Sequence, residues 1–434
     1  MRLRGITCAA VAAMLVTLTA CGGGGGGGVK PSGPGRTEHG ASPAPQSFTA
    51  PTRFSLRHGK PVPESAAADK VRVVGGLSHP LPVALHDGVL FIARPDGLDV
   101  VSGYGPGDPV TITPDRDPAV TLDHVMSISG HNPAEAPLIT SSGGRTLALS
   151  ALVTKVTGSG TTKPHDVVEL MATDTVSLTK RWFTEIRLAA GDEYSGDRAD
   201  ANVVGRAGDI VVVFGRGRLF GVDLKSHRRV WTAKGTYEKG AVVAGDRVVA
   251  LRDKPAGDNQ VVGLRAADGK DVWTSPRSGL ELSAAAPEAV MTYEYPTTDI
   301  RDRRHHLLDA ATGGTRRTLP EDAPGSDCAY DGAAVTVCKG RDGFDETAAA
   351  YDPKSGKEIW RLPDAAGTRV APEVTLVRAG LIYGKANGKP VVLDAASGKD
   401  KETRPGIAPY VADGYVGISE TEDTTGLTAY RAVG

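Results

Sequence analysis

Histidine, cysteine and glycine are the residues from which a metal, nucleophile or phosphate site could be assembled, and here their spacing argues against each. The ten histidines include one adjacent pair, His305-His306. Neighbours on a strand point to opposite faces, so the two cannot easily serve one ion. No His-Glu-x-x-His, Cys-x-x-Cys or EF-hand loop occurs. Gly103-x-Gly105-x-Gly107 and Gly215-x-Gly217 have no following helix to receive a phosphate and read as turns. A Gly-x-Ser-x-Gly elbow is also absent. The expectation is a noncatalytic protein with no metal and no cofactor.

The four cysteines divide into two pairs. Cys328 and Cys338 flank the Asp331-Gly332 turn, where a hairpin-spanning disulfide is expected if the chain is exported. Two buried free thiols are the alternative, and strand register decides between them. Cys8 lies in the leader and Cys21 directly follows it. Met1-Arg2-Leu3-Arg4 is a basic start, and the apolar run Ile6 to Leu18 is too short to span a bilayer. It reads as a signal peptide over residues 1–20. Leu18-Thr19-Ala20-Cys21 resembles the bacterial lipobox, which implies cleavage before Cys21 and lipid attachment to its thiol. Two acyl chains, at about 0.8 kcal/mol per buried methylene, would hold the protein on a membrane, facing the extracytoplasmic side.

Seven glycines, Gly22 to Gly28, and then prolines through Pro51 follow the lipobox. With almost no large apolar residue, residues 21–65 are expected to form a disordered tether. The rest of the chain has enough hydrophobic content, 40% overall, for a large core. Fifty basic against 51 acidic side chains lack the electrostatic footprint of a nucleic-acid binder.

From about residue 165 one phrase recurs: a strand ending near Asp, a turn with Gly, then basic and apolar residues and often Trp. Its clearest copy is Ala350-Tyr351-Asp352-Pro353-Lys354-Ser355-Gly356-Lys357-Glu358-Ile359-Trp360. The turn position falls at 178, 227, 269, 313, 356 and 398, intervals of 49, 42, 44, 43 and 42 residues. All four tryptophans, Trp182, Trp231, Trp273 and Trp360, lie four residues past it, and Arg317 and Glu402 fill that place in the other two copies. Val-rich runs bounded by Gly and Asp, such as Ile210–Val213 and Val248–Leu251, supply the remaining strands. About four strands in 43 residues is the length of a propeller blade.

The phrase resembles the tryptophan-docking repeat of the PQQ-like β-propellers, well over residues 140–434 and loosely over 70–140. The resemblance implies an all-β fold, an eight-bladed (alternatively seven-bladed) propeller of four-stranded antiparallel blades over residues 66–434. Trp182, Trp231, Trp273 and Trp360 would then dock on turns such as those of Gly269, Gly313, Gly356 and Gly398. A stacking site for a ligand is the sharper alternative for these rings. The last copy ends one strand short, and Val71–Val74 is the expected outer strand that closes the ring. Residues 115–135 break the pattern and read as an insertion.

Quinoprotein dehydrogenases share this repeat but use adjacent cysteines, a calcium site and a catalytic Asp. This chain has no Cys-Cys pair and few aromatics. In architecture it is similar to the propeller lipoproteins of outer-membrane assembly, and in composition to lipoproteins of high-GC Gram-positive bacteria. The expected function is a lipid-anchored cell-envelope module that binds a protein, peptide or cell-wall partner. An envelope enzyme, quinoprotein-like or hydrolytic, with a site in the central funnel is the alternative. Residues 120–135, Thr157–Pro164 and Thr297–Arg304 are candidate contact loops because they interrupt the repeat.

Overall fold

The computed structural model describes residues 46–57, 59–66, 80–105, 107–129, 132–188, 200–254, 259–278, 281–294, 304–324, 327–420 and 426–434. All lie in the unit Pro45–Gly434. Cys21, the leader and Val71–Val74 lie outside the described residues.

Eight antiparallel sheets of four strands follow one another along the chain, with one extra short strand in the second. The first is Val83–His86, Val89–Arg94, Gly97–Ser102 and Val110–Ile112. In the second, Leu138–Ser142, Arg145–Val156, His165–Asp174 and Lys180–Arg187 are joined by Asp117–Pro118. The third and fourth begin at Ala201 and Val242, the fifth and sixth at Glu281 and Asp327, and the seventh and eighth at Glu373 and Val411. Within each blade the β-branched runs alternate between two buried faces, as a sheet packed on both sides requires. Val211 and Val213 meet Val168 and Leu170 of the second blade, while Val212 and Phe214 meet Val248 and Val262 of the fourth. The first strand of each blade is its innermost, and that of blade 1 meets those of blades 2 and 8.

Closure departs from expectation in its position. The outer strand of the eighth blade is Lys60–Pro61, paired with Leu427–Arg431; the expected Val71–Val74 lies outside the described residues. Lys60 Nζ donates to the carbonyls of Ser102, Gly105 and Gly107 of the first blade, so one residue ties the last blade to the first. Nearer the axis, Asp413 accepts the Gly88 amide at 2.6 Å.

The tether boundary moves for the same reason. Phe54 is buried among Tyr383, Ile407 and Tyr430, and its amide donates to the Pro405 carbonyl. The amides of Thr52 and Arg53 bond to the Gly434 carbonyl, and the Tyr383 hydroxyl donates to Pro51. The segment from residue 46 is therefore part of the propeller. Its few apolar side chains, negligible as a core of their own, complete one that blades 7 and 8 supply.

The insertion is real and contains the one α-helix among the described residues, α1 (Leu122–Ser129). Asp96 accepts the Leu122 amide at 3.0 Å and is held by Arg94. Cys328 and Cys338 are direct partners across an antiparallel pair and form a disulfide. Across so short a loop it contributes about 2–3 kcal/mol at most.

Removing residues 1–61 should strip the outer strand from blade 8. We expect a lower Tm and concentration-dependent self-association on size-exclusion chromatography, because an unpaired edge recruits another chain. Removing residues 1–44 should change neither.

Candidate functional site

Five copies of the repeat turn share one local design. Asp223 Oδ1 accepts the Ser226 amide and hydroxyl, both at 2.7 Å, and Asp352 does the same with Ser355 at 2.7 and 2.6 Å. Asp309 and Asp394 serve Thr312 and Ser397 likewise, and Asp174 takes the amides of Val176 and Ser177. A carboxylate satisfying amides and a hydroxyl stabilises the turn and the charged form together. The Ser177 amide, helped by Arg145, holds the nearly buried Asp174 at a pKa of about 2 despite burial. The last turn residue bonds back to the first, and its φ is positive: +68° at Gly269, +71° at Gly313, +65° at Gly356 and Gly398. The fourth blade departs from this pattern, with Arg265 at the Asp position and paired to Asp268.

These turns are the docking surfaces. The Trp231 indole N–H donates to Ala266 at 2.8 Å, that of Trp273 to Ala310 at 2.9 Å, and that of Trp360 to Ala395 at 2.8 Å. The carbonyl acceptor lies three residues before Gly269, Gly313 or Gly398, and the ring covers that glycine. A Cβ there would stand 2.6, 2.4 or 2.7 Å from a ring atom. Gly356 instead meets the aliphatic stem of Arg317, which replaces Trp in the fifth blade. Glu402, in the same place in the seventh, pairs with Arg53 of the N-terminal segment at 3.2 Å.

The other face of each ring exposes residues that the repeat reading passed over. Gly221 and Gly263 lie directly opposite Trp231 and Trp273 on the neighbouring strand, where a Cβ would come within 2.1 Å of the indole. Ala350 and Ala172 take that place opposite Trp360 and Trp182. Where Trp is absent the residue is large: Leu307 opposite Arg317 and Val392 opposite Glu402. The signal was in the sequence, as a small residue ten positions before every Trp.

One junction differs. Trp182 faces the turn of the third blade at His227, not at a glycine, and stacks on its imidazole at 4.3 Å and 15°. His227 holds a φ of +55° without glycine's freedom. Thr184 donates to its carbonyl at 2.8 Å. Here Arg145, Arg181, Arg206 and Lys225 join Trp182 and His227 in lining a groove of about 660 Å³.

The opposite ends of the blades carry a carboxylate group. Lys239 Nζ lies 3.4 Å from Glu135 and 3.6 Å from Asp200, and Asn202 donates to Glu135 at 2.6 Å. Glu238 is shifted up by partial burial and by Asp253. His306 is buried against Glu294 and Thr318 at 3.1 and 3.0 Å, while His305 tilts against Tyr293, so the pair does diverge. Among the described residues no three His, Cys, Asp or Glu side chains are grouped to hold a metal. Of the expected contact loops, residues 120–135 contain α1, Ser159 bridges Thr162 within Thr157–Pro164, and residues 297–303 lie outside the described residues.

Residues 169–313 match the family model described as outer membrane protein assembly factor BamB. Among solved structures, the computationally designed Ika8 protein is 12% identical with a TM-score of 0.46, over 81% of this chain and 95% of that one. BamB from Moraxella catarrhalis is 16% identical with a TM-score of 0.44, over 80% and 95%. No curated protein matches the sequence.

Two outcomes follow from the docking geometry. Gly221→Leu should cost about 1–3 kcal/mol in chemical denaturation by forcing the indole off its strand. Combining it with Trp231→Arg, which copies the Leu307–Arg317 pairing, should cost less than the sum of the single changes. The second concerns acid. Asp174 titrates at about 2 in the fold against an ordinary 3.8, so its contribution is complete above about pH 4 and is lost as pH falls through about 2. The stability gap between the parent and Asp174→Asn should therefore be full at pH 7 and shrink between pH 4 and pH 2.

Proposed function

We propose that this chain is a noncatalytic binding or scaffold module held on the extracytoplasmic side of a membrane by lipid on Cys21. The observation that carries the binding role is how the repeat uses its chemically capable side chains. The Asp, Ser and Thr of five turns, and the indoles of Trp231, Trp273 and Trp360, are engaged inside turns and between blades. What remains for solvent is a large, irregular surface on a rigid ring, which suits a protein, peptide or cell-wall partner. The match of residues 169–313 to an assembly-factor family supports a protein partner. The anchor rests on the lipobox-like Leu18-Thr19-Ala20-Cys21 and the glycine run after it.

Cys21→Ala should release the protein from the membrane fraction into the medium, and unchanged retention would refute the anchor. Crosslinking on intact cells followed by pull-down should then yield a discrete partner with the parent chain. Its failure to do so would count against the binding role.

A further inference from the structure

At three junctions an indole closes on glycine, whereas at the junction of blades 2 and 3 it meets a histidine. His227 carries a ring where Gly269, Gly313 and Gly398 carry none, so Trp182 lies against an imidazole. The resulting groove, about 660 Å³, is within the roughly 300–1,000 Å³ range of ligand sites.

Its charges do not balance. Arg145 Nη1 and Arg181 Nε approach the same Asp174 oxygen, at 3.0 and 3.7 Å. Lys225 Nζ and Arg206 Nη2 share Asp209, at 2.6 and 3.9 Å. With Asp223 also acting on Lys225, four cations face three carboxylates, a surplus of one positive charge on a chain whose formal net charge is −1. The other Asp174 oxygen is already committed to the Val176 and Ser177 amides. Arg206 is fixed by Thr140 at 2.8 Å, whereas Arg145, Arg181 and Lys225 are exposed and each held by an ion pair that a ligand carboxylate could replace.

We propose that this groove binds a short acidic peptide segment of a partner protein. One of its carboxylates would take the surplus positive charge and a second would replace a resident ion pair at Arg145, Arg181 or Lys225, while an apolar or planar side chain would lie along Trp182. A groove of this volume exceeds the needs of a lone anion, and guanidinium forks beside an aromatic wall match carboxylates on a chain better than a free ion. The inference rests on the binding-module reading and adds to it the place and the chemistry of recognition.

The test is isothermal titration of the full chain with acetyl-Glu-Asp-Phe-Asp-Glu-amide, its Lys/Arg-substituted counterpart and inorganic phosphate. The acidic peptide should bind, more weakly as salt rises, and the basic peptide should not. Arg181→Glu and Lys225→Glu, both at exposed positions, should keep the parent Tm and each weaken binding by roughly tenfold. Trp182→Phe should weaken the peptide and leave the salt dependence unchanged. No binding, equal binding of the basic peptide, or binding indifferent to both charge reversals would overturn the proposal. So would phosphate competing as well as the peptide, which marks a simple anion site. If crosslinking on cells captures a partner equally with Arg181→Glu and Lys225→Glu, the groove is wrong and the binding module stands. If nothing is captured by the parent, the broader reading falls.

Discussion

An indole held between two backbones is the contact on which this ring depends. Trp231 and Trp273 each have a glycine of their own blade on one side and a glycine of the next blade on the other. The ring needs both, since a side chain on either side would push it out of the wedge. Its N–H then finds the carbonyl three residues before the second glycine, so a large apolar surface is buried without stranding a donor. The turn that presents this carbonyl is itself held by an Asp or by an ion pair. Turn, cross-strand partner and ring thus form one unit repeated around the propeller.

Departures from that unit are compensated in different ways. In the fifth blade Arg317 replaces the indole, Leu307 fills the space opposite it, and the arginine stem still covers Gly356. In the seventh, Glu402 reaches Arg53 of the N-terminal segment. At the ends of the chain, Lys60 and Asp413 join blade 8 to blade 1 by hydrogen bonds, and Tyr104 stacks on Tyr415 beside them in place of an indole. The junction of blades 2 and 3 keeps its Trp and loses its glycine, and it alone of the four Trp junctions gains a ring against the indole. A fixed repeat makes such an exception legible, because the neighbouring junctions show what packing alone would require.

The disulfide illustrates how local geometry settles what composition left open. Cys328 and Cys338 flank a turn in sequence, and that spacing alone allowed either a bond or two thiols. The register that pairs Thr336 with Tyr330 brings the two cysteines face to face. A shift of one residue would have sent them to opposite sides of the sheet.

The period, the four-stranded blade and the role of the docking residues were legible in the chain. These are local facts: a turn needs Asp and Gly at set offsets, and a ring that recurs in one phase must meet the same neighbour each time. The chain also held the small residue ten positions before each Trp, though pairing was needed to give that spacing a meaning. Which strand closes the ring came from packing, because Lys60–Pro61 is too short and too polar to announce itself and is specified by its partner at Thr428–Ala429. Only the structure placed Arg145, Arg181, Arg206 and Lys225 around Trp182 and His227. They come from four strands and turns of two blades, and their surplus charge arises from long-range proximity that no local spacing encodes.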